Sequence, residues 1–171
     1  LFAYAEDAQG SEVHHIYVKD LATGAVLPDP IGSATGDFTF SPDSQWIFWT
    51  NRDDNGRPDK IFRRPVRGGE TSLVYEEPDD GMFISVGRTA DDAFILISIA
   101  NQETSEARVI PAATPTATPV VLEPRHVGRL YEPNHWGDRW VIRTNADDSN
   151  DFKIVEAPTG SPARANWTDL V

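Results

Sequence analysis

The residues of this chain with side chains suited to acid–base or metal chemistry are four histidines and a series of paired carboxylates. His14 and His15 are neighbours in an apolar, strand-like stretch, so their side chains point to opposite faces and cannot share a metal ion. His126 and His135 each stand alone in sequence. Acids pair at Asp53-Asp54, Glu76-Glu77, Asp79-Asp80, Asp91-Asp92 and Asp147-Asp148. Two adjacent carboxylates can pass a proton or bind a hard cation. Their settings favour turns instead: Asp53-Asp54-Asn55-Gly56 and Asp147-Asp148-Ser149-Asn150 have the composition of hairpin tips, where Asp and Asn tolerate positive φ and bond their own backbone. Asn145, Asp147, Ser149 and Asp151 place oxygens at alternate positions, yet the run lacks the glycine and closing glutamate of a calcium loop.

Nucleophilic chemistry finds no better footing. Ser85, in Phe83-Ile84-Ser85-Val86-Gly87, comes nearest to a nucleophile elbow, but the first glycine is missing and the segment reads as a strand. No catalytic residue, metal site or cofactor is therefore expected. Asn166-Trp167-Thr168 has the form of a glycosylation acceptor, which matters only in a protein secreted by a eukaryote. The five tryptophans offer a stacking platform, but Trp46, Trp49 and Trp140 lie in repeated apolar strands, where large aromatics fill the space between sheets.

The elements that would position these residues are strands. Gly24, Gly69 and Gly160 punctuate a turn-bearing unit at intervals of about one and then two periods of roughly 45 residues, a spacing typical of propeller blades. The following strand repeats as well: Trp46-Ile47-Phe48-Trp49-Thr50-Asn51 reads like Trp140-Val141-Ile142-Arg143-Thr144-Asn145, with Phe94 to Asn101 between them and Leu1 to Tyr4 one unit earlier. Short apolar runs separated by Asp, Asn, Gly and Pro predict an all-β chain. The expected organisation is a single partial β-propeller domain over residues 1–171, with blades at about 1–30, 31–78, 79–125 and 126–171. These are antiparallel four-stranded sheets, the first lacking its innermost strand. The Ala/Thr/Pro stretch from Pro111 to Pro119 is expected to be a hairpin loop.

Composition narrows the partners. At 171 residues and 39% hydrophobic, the chain can bury a sizeable core. A net charge of −12 argues against nucleic acid, which requires a basic face. No apolar stretch approaches the ~18 residues of a membrane-spanning helix, and no membrane partner is expected. Zero cysteines exclude disulfides and thiolate metal sites; a cytoplasmic location is expected, with a bacterial periplasm as the alternative. Because Leu1 falls in mid-strand, the chain reads as part of something longer, and its uncovered sheet edges predict self-association or marginal stability.

Several segments, in the same order, carry a family likeness. Val74-Tyr75-Glu76-Glu77-Pro78-Asp79-Asp80 followed by Phe83-Ile84-Ser85-Val86 resembles the acidic turn and strand in the propeller of the prolyl oligopeptidase family of serine peptidases, specifically its oligopeptidase B (protease II) group. Ala5-Glu6-Asp7 with Gly10 and Glu12, Asp20 to Gly24, Ile61 to Arg64, Thr104 to Arg108, Leu122 to Arg125 and Arg143 to Asn145 extend the likeness over nearly the whole chain. The resemblance implies a seven-bladed propeller, about four blades of it present here, gating an α/β-hydrolase domain of the same parent chain. The parent would cleave short peptides after Arg or Lys. The catalytic Ser, Asp and His of that family match no position here, so this chain alone is expected to be inactive. Glu12, in the Gly10-Ser11-Glu12 turn, is the position expected to make an ion pair between propeller and hydrolase domain. A free-standing propeller that binds proteins or peptides, in the manner of WD-repeat or TolB-like modules, is the alternative. A dipeptidyl peptidase of the same clan would add a Glu motif for the substrate amino terminus, and none is visible.

Overall fold

The computed structural model describes residues 1–171. Fourteen strands follow one another: β1 (Phe2–Glu6), β2 (His14–Lys19), β3 (Ile31–Phe40), β4 (Trp46–Arg52), β5 (Pro58–Pro65), β6 (Ser72–Glu76), β7 (Phe83–Arg88), β8 (Phe94–Ala100), β9 (Ser105–Pro111), β10 (Val120–Glu123), β11 (Tyr131–Trp136), β12 (Arg139–Thr144), β13 (Lys153–Pro158) and β14 (Thr168–Asp169). One short 3-10 turn, Arg164–Asn166, precedes β14. They pair in chain order as a six-stranded sheet, β1 to β6, and two four-stranded sheets, β7 to β10 and β11 to β14. The chain divides into two compact units, Leu1–Val86 and Gly87–Val171, with the division inside β7.

The six-stranded sheet is two blades joined by one strand. The first residues of β3 pair with β2 (Ile31 with Ile16, Ala34 with His14), and its last residues pair with β4 (Phe38 with Trp49, Phe40 with Ile47). Between them the register slips, and Ser33 and Gly36 take φ of +54° and +100°. The second value belongs to glycine, because a Cβ would strain that backbone conformation. Ile31-Gly32-Ser33-Ala34-Thr35-Gly36 has no apolar alternation, so nothing in its local pattern marks it as a strand. Val26 makes a single bridge with Lys19.

Alternation of side chains dictates what each strand buries. In the first unit Ile16, Val18, Ile31, Ala34, Ile47, Trp49 and Val66 form the core, with Phe38 and Phe62 against it. β4 is buried on both faces, as Ile47, Phe48, Trp49 and Thr50 all lie inside, which suits the central strand of its blade. In the second unit Val109, Leu122, Tyr131, Trp140, Ile142 and Val155 make the core. β11 alternates strictly: Tyr131, Pro133 and His135 are buried, while Glu132, Asn134 and Trp136 are exposed. Pro133 is tolerated because β11 is an edge strand, where a missing N–H donor costs no ladder bond.

One turn is built twice. After β3, the Ser41 hydroxyl donates to Asp43 at 2.5 Å and accepts the Trp46 N–H at 3.0 Å, with Ser44 at φ +56°. After β7, the Thr89 hydroxyl donates to Asp91 at 2.9 Å and accepts the Phe94 N–H at 3.0 Å, with Asp92 at φ +59°. Each carboxylate also accepts the N–H two residues on, from Gln45 at 3.0 Å and Ala93 at 3.2 Å. Such side-chain bonds satisfy backbone donors that the hairpin leaves free.

Candidate functional site

In the first unit, side chains tie three loops together: residues 7–13 between β1 and β2, 53–57 between β4 and β5, and 77–82 between β6 and β7. The Asp7 carboxylate organises the first, accepting the N–H groups of Gln9 and Ser11 at 3.1 Å and of Glu12 at 2.7 Å. Chiefly through the Glu12 N–H, these bonds hold the Asp7 carboxyl down at about 2. Glu12 is thereby fixed at φ +61°. Its backbone carbonyl meets His14 Nδ1 at 3.1 Å, while its carboxylate projects into solvent, 79% exposed. The second loop sits beside it: Arg52 Nη2 lies 3.5 Å from Glu12 Oε2, and Arg52 Nη1 donates to the Gly56 carbonyl. Asp53 caps its own hairpin by accepting the Asn55 and Arg57 N–H groups at 2.9 and 2.8 Å. Arg57 then donates to the Met82 carbonyl at 2.8 Å, which reaches the third loop. There Glu77 is buried, accepting the Tyr75 hydroxyl at 2.6 Å and the Asp79 N–H at 3.0 Å.

Of the paired acids, then, Asp53, Glu77 and Asp79 build turns, and the exposed carboxylate left for an outside charge beside Arg52 is Glu12. No three His, Asp or Glu side chains come together in a way that could hold a metal ion. Two of the four alternate oxygens at 145–151, those of Asn145 and Asp147, are occupied by the chain's own donors. Asn145 accepts the Leu130 N–H at 2.8 Å and donates to the Gly128 carbonyl at 3.1 Å. Asp147 binds Lys153 at 3.0 Å and also Arg164. Ser85 is a half-buried residue of β7.

The second unit holds a pocket of about 600 Å³ between its two sheets, lined by Ser98, Ala107, Tyr131, Pro133, Arg143 and Phe152 among others. Arg143 lies over the Phe152 ring at 3.8 Å and pairs with Glu132 at 3.3 Å. Two buried carboxylates carry arginines nearby: Glu106 binds Arg108 at 2.9 Å and Arg125 at 3.4 Å, and Glu123 binds Arg129 at 2.7 Å.

The second unit also contains a hydrogen-bonded chain that sequence reasoning misses. His135, with its side chain only 4% exposed, meets Asp91 Oδ2 through Nδ1 at 2.6 Å and Thr159 Oγ1 through Nε2 at 2.7 Å. Phe94 and Trp140 flank the imidazole, each with its centroid 4.9 Å away. Burial pushes the Asp91 carboxyl up, but bonds from His135, the Ala93 N–H and Thr89 outweigh it, leaving Asp91 below the usual carboxylate range. The order carboxylate, imidazole, hydroxyl is that of a nucleophilic triad. Here it spans the β7–β8 turn, β11 and the segment after β13, and so fastens one sheet to the next.

Antiparallel sheets of this kind, the outer strand of one leading into the inner strand of the next, define blades of a β-propeller. The whole chain, residues 1–171, matches the family described as prolyl oligopeptidase, N-terminal beta-propeller domain. The chain belongs to that family. It is 42% identical over 174 residues to dipeptidyl aminopeptidase BI of Pseudoxanthomonas mexicana, covering all of this chain and 24% of that protein. It is 29% identical over 160 residues to protease 2 of Moraxella lacunata, covering 91% of this chain and 23% of that one. Among solved structures, oligopeptidase B from Leishmania major superposes with a TM-score of 0.90 at 25% identity, over 98% of this chain and 24% of that chain. The chain thus spans about a quarter of the length of the proteins it matches.

Proposed function

We propose that this chain is the non-catalytic, substrate-gating part of a serine oligopeptidase that hydrolyses short peptides after Arg or Lys. In this reading the Glu12 carboxylate makes a charge contact with the catalytic domain of the parent or with its basic substrate. The conformation of Glu12 carries the proposal. A left-handed φ costs a residue bearing a Cβ about 1–2 kcal/mol, and glycine would adopt it freely. Three loop N–H groups bonded to Asp7 hold that conformation, and what it delivers is a carboxylate left in solvent. The likeness to protease 2 and to oligopeptidase B supports the same substrate class.

The test uses the full-length protein and short peptides with Arg, Lys or a neutral residue before the cleaved bond. The expected results are selective cleavage after Arg and Lys, and a several-fold fall in kcat/KM for Glu12→Gln. Equal cleavage of neutral peptides would remove the substrate reading, and unchanged kinetics for Glu12→Gln would remove the role of Glu12.

The 42% identity to dipeptidyl aminopeptidase BI supports a second reading, release of dipeptides from free amino termini. Acetylating the peptide amino terminus separates the two: an endopeptidase still cleaves, and a dipeptidyl peptidase does not.

A further inference from the structure

We propose that Arg52 is the resting partner of Glu12, a placeholder cation that gives up the carboxylate to an incoming guanidinium or ammonium group. The inference rests on Glu12 being the gating carboxylate and adds how that group is kept before it is used.

The two members of the pair are held very differently. Arg52 is fixed: its side chain is only 20% exposed, and Nη1 is bonded to the Gly56 carbonyl of the neighbouring hairpin. Its remaining reach toward Glu12 is a single Nη2 contact at 3.5 Å. A charge-assisted pair in good geometry closes to about 2.7–2.9 Å and is often bidentate; this one is neither. Glu12 is held only through its backbone, by Asp7 and by the His14 ring on its carbonyl. Its carboxylate can therefore rotate away without breaking a loop hydrogen bond, and Arg52 stays anchored when it leaves. The contact is strong enough to keep the carboxylate over the β4–β5 hairpin. It is weak enough to be displaced by a cation that closes to about 2.7–2.9 Å.

Removing the placeholder should strengthen the site. In the full-length enzyme, Arg52→Gln is expected to lower KM by about two- to fivefold, the range an exposed ion pair commands, with kcat little changed. Arg52→Met, which keeps the aliphatic stem packed, should do the same, and Arg52→Lys, which restores a cation, should return KM toward its starting value. In a Glu12→Gln background the Arg52 substitutions should add nothing. Paired peptides carrying Arg or norleucine before the cleaved bond identify the source of the cation. A gain confined to the Arg peptide assigns it to the substrate, and an equal gain with both assigns it to the rest of the enzyme. If Glu12→Gln alters kinetics while neither Arg52→Gln nor Arg52→Met lowers KM, the placeholder is refuted and the gating role stands. If Glu12→Gln itself has no effect, the gating role falls and the placeholder with it.

Discussion

Replacing His135 by Phe isolates the polar part of the chain that links Asp91 to Thr159. The phenyl ring keeps the flat volume between Phe94 and Trp140, whose centroids lie 4.9 Å from the imidazole, so the loss falls on two hydrogen bonds. The bond to Asp91, at 2.6 Å, has a charged partner and is worth about 1.5–3 kcal/mol, and the one to Thr159, at 2.7 Å, about 0.5–1.5 kcal/mol. Asp91 Oδ1 keeps its bonds to Thr89 and Ala93, and its side chain is 27% exposed. Water therefore recovers part of the first term, leaving a net cost of about 2–3 kcal/mol. Urea unfolding followed by circular dichroism is the assay. With a slope of about 1–3 kcal/mol per molar, the midpoint should fall by roughly 0.7–3 M. The effect should shrink in acid. Asp91 titrates below its ordinary value of 3.8 in the folded chain, so its contribution is complete above that value and is lost as pH falls through the lowered folded pKa. A midpoint unchanged near neutral pH would mean that ring packing alone fastens the two sheets, and would sink the argument.

Tyr131 offers a companion test: its hydroxyl accepts the Ala107 N–H at 2.7 Å and donates to the Glu123 carbonyl, all inside the protein. Tyr131→Phe should cost about 1–3 kcal/mol, because it strands a buried donor and a buried acceptor; a neutral result in the same urea assay would show that the site relaxes to repair them. Burial pushes the Tyr131 hydroxyl well above its ordinary range, so no titration of that group should be seen in ultraviolet absorbance up to about pH 11. In the 7–13 loop, Asp7 falls from 3.8 to about 2. The loop should therefore hold its form through pH 4 and loosen only as the pH drops toward 2, read from the amide resonances of Gln9, Ser11 and Glu12. Loss of that order already near pH 4 would contradict the hydrogen-bond assignment.

The strands that could be read from the sequence were those with strong local pattern. The expected strand from Phe94 to Ala100 is the observed β8, because Ile95, Ile97 and Ile99 alternate with half-buried neighbours. The hairpin readings of Asp53-Asp54-Asn55-Gly56 and Asp147-Asp148-Ser149-Asn150 also correspond to observed turns, with Gly56, Asp147 and Asp148 at positive φ. What local pattern could not give were elements defined by their neighbours. The start of β3 is a strand only because β2 supplies partners for Ile31 and Ala34. The terminal stretch forms a ladder only at Thr168 and Asp169 after the 3-10 turn, although Leu170 and Val171 still bond to Ile154.

The side-chain partners were hidden for a different reason, and the repeat itself held the missing signal. Asp91 and His135 are 44 residues apart, as are Ala90 and Asn134, whose side chain accepts the Ala90 N–H at 2.9 Å. Asp20 and Arg67, paired at 3.2 Å, are 47 apart. Such separations look like isolation from sequence neighbours alone, as for His135. They are close to one blade period of roughly 45 residues, the distance at which a repeat sets a turn of one blade beside the equivalent region of the next. Glu12 and Arg52, 40 apart, obey nearly the same rule. Complementary polar types about one period apart are thus the pattern by which both the His135 chain and the Glu12–Arg52 pair become findable from sequence. The two differ in how firmly they are held: His135 is buried and bonded through both ring nitrogens, whereas Glu12 and Arg52 share one contact at 3.5 Å at the surface. That leaves a loosely held pair such as Glu12 and Arg52 free to exchange partners.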